Sequence, residues 1–197
     1  MFTKFLKNKN KKISGFSLIE LLVVIAIVGL LTTIAVVAVN NARYKAKEAV
    51  VLNDLKVIND AMSTLVNDTN LWPGEQAVDT VSSAPNNEIC GEDVNSEDCG
   101  ARTLSAGISG LLATNGNYGN WQGPYVNSMP IDPWGNEYFF DTDYSLDINN
   151  EPCGCGAGGC VDAVVLGSYG QDMAGKPVST ATGAYGCDDI IRIIYKN

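Results

Sequence analysis

The sequence predicts an α+β protein in which one long N-terminal helix packs on a small antiparallel sheet. Two observations indicate the helix: an apolar segment covers residues 16–39, and an amphipathic pattern continues it to residue 65. A third observation indicates the sheet, since short runs rich in β-branched and aromatic residues occur in the last third of the chain. Glycine and asparagine are frequent between these runs, which predicts a loop-rich C-terminal region.

The apolar segment from Phe16 to Val39 contains a single charged residue, Glu20. As a helix, its roughly 24 residues extend about 36 Å, which is enough to cross the hydrocarbon core of a membrane. An ordinary secretory signal has an apolar stretch of only about 7–15 residues, followed by a cleavage site of small residues. The segment therefore predicts a membrane anchor.

The charged residues are divided unevenly along the chain. Residues 1–15 carry five lysines and no acidic residue, which leaves 8 basic against 22 acidic side chains in the remainder. Such an acidic body argues against direct binding to nucleic acid, whose affinity comes largely from neutralised phosphates. The basic leader predicts a cytoplasmic N-terminus under the positive-inside rule.

After residue 50, apolar residues recur at spacings of three and four, which places them on one face of a helix. They are Val51, Leu55, Ile58, Met62 and Leu65. We expect the helix to continue from the membrane to about Asp68 and to end near the Leu-Trp-Pro-Gly sequence at 71–74, because proline and glycine interrupt helices. The apolar face is predicted to pack on the sheet.

The remaining elements are predicted from local composition. Strands are expected at about 138–140, 163–167 and 189–195, and a short helix at 104–113. Between them, the prolines and Trp134 of residues 123–138 predict a rigid turn that packs over the helix.

The chain has six cysteines and no histidine. The cysteines are Cys90, Cys99, Cys153, Cys155, Cys160 and Cys187. An even number beyond a membrane segment predicts disulfides, formed outside the cytoplasm, that staple the loop-rich region, although the pairing is not readable. Zinc bound by four of these thiolates is the alternative, despite the lack of a C-x-x-C pair. Without histidine or a recognised nucleophile motif, the sequence argues against an enzyme.

A carboxylate inside an apolar helix costs about 2.5–3.5 kcal/mol at the bilayer centre and less nearer the interface. Glu20 therefore either lies close enough to the headgroups to stay hydrated or meets a positive charge supplied by a neighbouring subunit. The sequence Lys-Ile-Ser-Gly-Phe-Ser-Leu-Ile-Glu-Leu-Leu-Val-Val at 12–24 resembles the prepilin processing signal of type IV pilins and type II secretion pseudopilins. The resemblance implies that a prepilin peptidase cuts between Gly15 and Phe16 and methylates the new N-terminus. Glu20 then pairs with the N-terminal amine of a neighbouring subunit.

The resemblance also implies an organisation into three regions. These are a cleaved leader at 1–15, a transmembrane and filament-core helix at 16–40, and an extracytoplasmic type IV pilin-like domain at 41–197. The implied location is the inner membrane, with the leader cytoplasmic, and then a periplasmic or cell-surface filament. The implied partners are the prepilin peptidase–methyltransferase, membrane lipid, an inner-membrane assembly platform, copies of the chain itself and other pilins or pseudopilins. Many family members have a proline where this chain has Val37, which implies a straighter helix here.

The sequence Pro-Ile-Asp-Pro-Trp-Gly-Asn-Glu-Tyr at 130–138 resembles a segment of the G-type major pseudopilin of type II secretion systems. That resemblance raises the question of calcium, which such pseudopilins bind in a C-terminal loop. Asp172 and Asp189 stand where side-chain ligands are implied, and hard cations prefer carboxylate oxygens. Met173 replaces a glycine of the family pattern, and a disulfide at Cys187 is the alternative way to stabilise this loop.

The predicted function is therefore that of a structural subunit of a type IV pilin-like filament. A type II secretion-like major pseudopilin that supports protein export is the first interpretation. A type IV pilus subunit for adhesion, motility or DNA uptake is the alternative. A membrane-anchored binding domain that never polymerises is the third.

Overall fold

The computed structural model describes residues 15–78, 89, 102–147, 150, 161–171 and 189–196. The chain divides into two compact units, residues 1–44 and residues 45–197. Each unit is described by itself below.

One helix, α1, runs from Leu18 to Thr69 and contains 52 residues. In the first unit every side chain from Leu18 to Arg43 is exposed, including all the leucines, isoleucines and valines. The helix passes through Val37 without interruption, as expected for a chain that lacks proline there. The described part of the first unit is thus a bare apolar helix.

In the second unit, α1 buries one stripe of apolar side chains. The stripe consists of Val51, Leu55, Ile58, Ala61, Met62 and Leu65, which confirms the predicted face. The helix ends close to the predicted position, because Asn70 adopts a left-handed conformation with φ 57°. Its N–H donates to the carbonyl of Val66 at 2.8 Å and closes the last turn.

A two-stranded hairpin follows the helix. Its strands are β1 (Leu71–Trp72) and β2 (Gln76–Ala77), which pair in antiparallel fashion. The turn between them contains Gly74 at φ 85° and Glu75 at φ 67°, so the proline-glycine signal in the sequence marks a real reversal.

The main sheet has three antiparallel strands in the order β3-β4-β5. The strands are β3 (Phe139–Leu146), β4 (Val161–Ser168) and β5 (Ile190–Lys196). Irregularities in register occur between Asp141 and Tyr144 in β3 and between Val164 and Val165 in β4. The three predicted strands are confirmed, together with the α+β class.

Both faces of the sheet carry buried apolar side chains. On one face, Phe140, Val164 and Leu166 pack with the buried stripe of α1, together with Tyr138, which directly precedes β3. The other face holds a second cluster formed by Phe139, Tyr144, Leu146, Ala163, Val165 and Tyr169. Alternation along β3 and β4 therefore divides the apolar residues between two cores.

The predicted helix at 104–113 is wrong. Only a 3-10 turn at Gly107–Ser109 forms there, and it ends at Gly110 with φ 72°. The hydroxyl of Ser109 donates to the carbonyl of Leu104 at 2.6 Å and so competes with helical hydrogen bonds. The two glycines and this serine explain why leucines at helical spacing did not produce a helix.

Candidate functional site

The predicted processing junction lies just before α1. Gly15, Phe16 and Ser17 have no regular secondary structure, and Phe16 is 83% exposed. A Cβ placed on Gly15 would have no atom within 4 Å. The Gly15–Phe16 bond is therefore exposed outside the helix.

Glu20 is the third residue of α1, and its carboxylate caps its own helix. Its Oε2 accepts a hydrogen bond from the N–H of Ser17 at 3.0 Å. This contact is one half of a capping box, and it puts a negative charge at the positive end of the helix dipole. Sequence reasoning missed this role, although the spacing of Ser17 and Glu20 is the usual signal for it. In the isolated chain the carboxylate thus has a partner within its own backbone.

The helix that follows Glu20 meets the length and composition required of a membrane span, with a mean hydropathy of 3.0 in its most apolar window. Since every side chain at 18–43 is exposed, the apolar surface surrounds the whole helix. A helix that is apolar on all sides is stable only when lipid or other apolar helices cover it.

The second unit, residues 45–197, is called the head below. In the head, the turn at residues 130–138 is organised by Asp132. Its Oδ1 accepts hydrogen bonds from the N–H of Trp134 at 3.0 Å and of Asn136 at 2.8 Å. Gly135 takes φ 100°, which a glycine allows without strain. The Nζ of Lys47 lies 5.1 Å from the centre of the Trp134 ring, a cation–π contact with α1. The predicted packing of this turn over the helix is confirmed.

Three tyrosine hydroxyls fasten the loops at 102–138 to α1 and to the hairpin that follows it. Tyr138 donates to Asp54 at 2.9 Å and Tyr125 donates to Asp68 at 2.8 Å. Tyr118 donates to the carbonyl of Ile108 at 2.6 Å and accepts the N–H of Glu75 at 3.2 Å.

Burial raises the pKa of each of these hydroxyls, because the phenolate loses hydration. For Tyr118 the pKa rises to about 12. For Tyr138 and Tyr125 the neighbouring carboxylates of Asp54 and Asp68 raise the pKa further, after burial. These tyrosines therefore stay protonated and act as hydrogen-bond donors at neutral pH.

The residues implicated in calcium binding are only partly described. Asp189 is buried directly before β5, and its Oδ2 accepts the hydroxyl of Tyr144 at 2.8 Å. Asp172 lies outside the described residues, as do all six cysteines, so the disulfide and zinc interpretations stay predictions. Within the described ranges, no three histidine, cysteine, aspartate or glutamate side chains come together as a metal site.

Two family descriptions match the chain. "Prokaryotic N-terminal methylation motif" matches residues 10–36, which include Gly15, Phe16 and Glu20. "Type II secretion system (T2SS), protein G" matches residues 101–173, which include the Asp132 turn and β4.

Several curated relatives carry the name "Type II secretion system core protein G". The relative from Vibrio cholerae is 24% identical over 167 residues, which cover 83% of this chain and 86% of the relative. The relative from Klebsiella pneumoniae is 30% identical over 125 residues, covering 63% and 71%, and that from Pseudomonas aeruginosa is 29% identical over 126 residues, covering 64% and 70%. No solved structure gives a significant match. With these two matches and a relative at 30% identity, the chain belongs to the type II secretion system protein G family.

Proposed function

We propose that this chain is a major pseudopilin, the structural subunit of a type II secretion pseudopilus that supports protein export. The observation that carries the proposal is the exposed apolar part of α1 at 18–43, whose first turn is capped by the Glu20 carboxylate and which continues into the helix of the folded head. Membership in the protein G family supports it. The family is structural, and the chain is not an enzyme.

The bare half of α1 suits a subunit that is stored in a membrane and then moved into a filament. Lipid tails and the side chains of neighbouring helices are similarly apolar, so transfer between them leaves the helix in an equivalent environment. The segment at 18–43 therefore serves both as the anchor in the inner membrane and as the contact surface between subunits.

Glu20 sets the position of each helix relative to its neighbour in the filament. In the single chain the carboxylate accepts only a backbone N–H, at Ser17, among the contacts of the described residues. In the filament, the methylated amine of Phe16 from a neighbouring subunit would provide a charge-assisted bond, which is roughly twice as strong as a neutral one. Assembly thus replaces a local cap by an ion pair between subunits.

Processing and topology follow from the same motif. The match at residues 10–36 supports cleavage by a prepilin peptidase after Gly15, followed by methylation of Phe16. The lysines of the leader favour a cytoplasmic N-terminus, and this orientation supports a periplasmic location for the head. The proposed partners in the filament are copies of this chain and other pseudopilins, on an inner-membrane assembly platform.

Replacement of Glu20 by alanine tests the assembly role. We expect Glu20→Ala to stay in the membrane at the normal level while filaments, and with them the secretion of exported proteins, fall at least about tenfold, the loss that follows from about 1.4 kcal/mol. Filaments are measured by electron microscopy, and secretion is measured by assaying exported proteins in the culture medium. Asp162→Ala, which removes an exposed carboxylate on β4, is the matched control and should assemble normally. Normal filaments from Glu20→Ala would refute the pairing.

A strain that lacks the chain, compared with the native strain, distinguishes the pseudopilus from a surface pilus. If the chain is a pseudopilin, its deletion should block secretion. In the native strain, the chain should be found in membranes and periplasm and not in sheared surface material. Abundant chain in the sheared fraction, with secretion intact after deletion, would favour the adhesion, motility or DNA-uptake interpretation. A chain that never forms filaments even when overproduced would favour the binding domain.

We also propose that the segment between β4 and β5 binds calcium through Asp172 and Asp189. Support comes from the pairing of Ser168 with Ile190, which places Asp189 beside the start of that segment. Asp189 offers a buried carboxylate there, a ligand type that calcium prefers.

A metal titration tests the calcium proposal. A ligand that binds the folded state at 100 times its Kd stabilises it by about 2.7 kcal/mol, so calcium should raise the Tm by several degrees relative to a chelator. Asp172→Asn should remove this difference, whereas Asp162→Asn should preserve it. An equal Tm of the native chain in calcium and in chelator would contradict the proposal.

A further inference from the structure

The carboxylate of Asp132 makes a second set of contacts, away from its own turn. Asp132 is only 4% exposed, and its Oδ2 accepts the hydroxyl of Ser168 at 2.6 Å and the side-chain amide of Asn136 at 3.4 Å. Ser168 is the last residue of β4 and is completely buried. The turn and the end of β4 are therefore joined by one short hydrogen bond between residues 36 positions apart.

Ser168 passes this contact on to the chain that leaves β4. Its Oγ accepts the N–H of Gly170 at 3.2 Å, and Gly170 adopts φ 68°. A carboxylate can only accept hydrogen bonds, so the single proton of the Ser168 hydroxyl must point to Asp132. The lone pairs of Oγ are then left to receive the N–H of Gly170.

The other side of the turn contacts α1. Asp132 fixes the backbone of Trp134, and the Trp134 ring packs under the ammonium group of Lys47 at 5.1 Å. A continuous series of contacts thus runs from the helix, through the turn, to the segment that follows β4.

We propose that Asp132 is a positioning residue that sets the conformation of the chain as it leaves β4, acting through the Ser168 hydroxyl. The carboxylate orients the hydroxyl, and the oriented hydroxyl fixes the left-handed turn at Gly170. The connection to β5 therefore starts from a geometry imposed by the turn at 130–138 and not by local sequence alone. The inference concerns the head and holds whether or not the chain assembles.

Amide hydrogen exchange of the mature chain in detergent micelles, measured by NMR in the presence of a chelator, tests this role. Ser168→Ala removes the acceptor of the Gly170 N–H, and its exchange should accelerate about tenfold, as expected for the loss of one buried hydrogen bond. In Asp132→Asn the remaining oxygen is held by the N–H groups of Trp134 and Asn136, so the side-chain NH2, a donor, faces the Ser168 hydroxyl. Exchange of the Gly170 amide should then accelerate similarly, although no hydrogen bond joins Asp132 to Gly170 among the described residues. The double variant should exchange no faster than Ser168→Ala.

The amides of the β3–β4 ladder serve as the internal reference, and Asp162→Asn serves as the matched control on β4. The proposal requires the exchange rate of the Gly170 amide to rise clearly more than those of the ladder amides in Asp132→Asn. In Asp162→Asn the Gly170 rate should not change. If the Gly170 amide keeps its protection in Asp132→Asn, the role of Asp132 is confined to its own turn. If the ladder amides exchange faster by the same factor, Asp132 acts only on overall stability. Either result would show that the proposal is wrong.

Discussion

The two parts of α1, residues 18–43 and residues 45–69, belong to one continuous helix but have opposite relations to the rest of the chain. In the first part every side chain is exposed. In the second part a stripe that starts at Val51 and ends at Leu65 is buried, while Leu52 and Val57 on the other faces stay about half exposed.

The difference lies in the pattern of apolar residues and not in helix propensity. The first part is apolar on all faces. A sheet packed on one side would therefore leave its other faces exposed. The second part has a single apolar stripe, and its own chain covers that stripe. One helix therefore obtains its stability from two sources, an external apolar environment and an internal core.

The largest expected effect comes from a substitution in the internal core that covers the second part of α1. Leu55 is 1% exposed and Leu52 is 48% exposed, only three residues apart on the same helix. Leu55→Ala should lower the free energy of unfolding of the head by about 2–5 kcal/mol, because it removes buried methyl groups and leaves a cavity. Leu52→Ala should change it by no more than about 0.5 kcal/mol.

Thermal unfolding of the mature chain in micelles, followed by near-ultraviolet circular dichroism, measures both variants. Membrane retention should be normal in each, since residues 18–43 are unchanged. Equal destabilisation by the two variants would show that the exposed face of the second part is also packed, and would remove the contrast between the two parts.

The sequence predicts these two parts well, because periodicity and composition are local properties. The spacing from Val51 to Leu65 and the proline-glycine signal after Leu71 were enough to place the helix, its buried face and its end. The assembly role of Glu20 was instead implied by the resemblance of residues 12–24 to the prepilin processing signal, and a family description of that motif matches residues 10–36. These features need no knowledge of which distant residues meet.

Features that depend on distant contacts were not predictable. The predicted first strand stopped at Phe140, but β3 continues through Asp141 and Asp143 because β4 pairs with it along its length. The buried state of Asp132 depends on Ser168, far along the chain. By contrast, the contact of Glu20 with the N–H of Ser17 is local, and the serine three residues before a glutamate is the sequence signal for it.

A second prediction is that alkaline pH lowers the free energy of unfolding of the head, because its buried tyrosines resist losing their protons. In the unfolded chain a tyrosine loses its proton near pH 10, whereas burial raises the pKa of Tyr118 to about 12 and also raises that of Tyr138. The stabilising effect is complete below pH 10 and is lost as pH rises from 10 through the folded-state pKa, because the unfolded state then binds fewer protons. At pH 11 we expect a loss of about 1.4 kcal/mol from Tyr118, and a further loss in the same direction from Tyr138.

The measurement is the free energy of unfolding of the head at pH 9 and pH 11, with Tyr118→Phe as the diagnostic variant. Since phenylalanine has no proton to lose, this variant should show a smaller difference between the two pH values than the native chain. An identical difference in both proteins would mean that other groups cause the alkaline loss.

The smallest expected effect tests one of the polar contacts that fasten the second part of α1 to the rest of the head. Tyr138→Phe removes the hydroxyl that donates to Asp54 and leaves this half-buried carboxylate without that donor. The expected loss is about 1–2 kcal/mol, less than for Leu55→Ala, because water can reach Asp54 and replace part of the bond. Tyr195→Phe, at a side chain that is 58% exposed on β5, is the matched control and should be neutral in the same unfolding assay. If Tyr138→Phe were also neutral, the bond between Tyr138 and Asp54 would add nothing measurable to the stability of the head, and the attachment of the second part of the helix would rest on its apolar stripe and its other polar contacts.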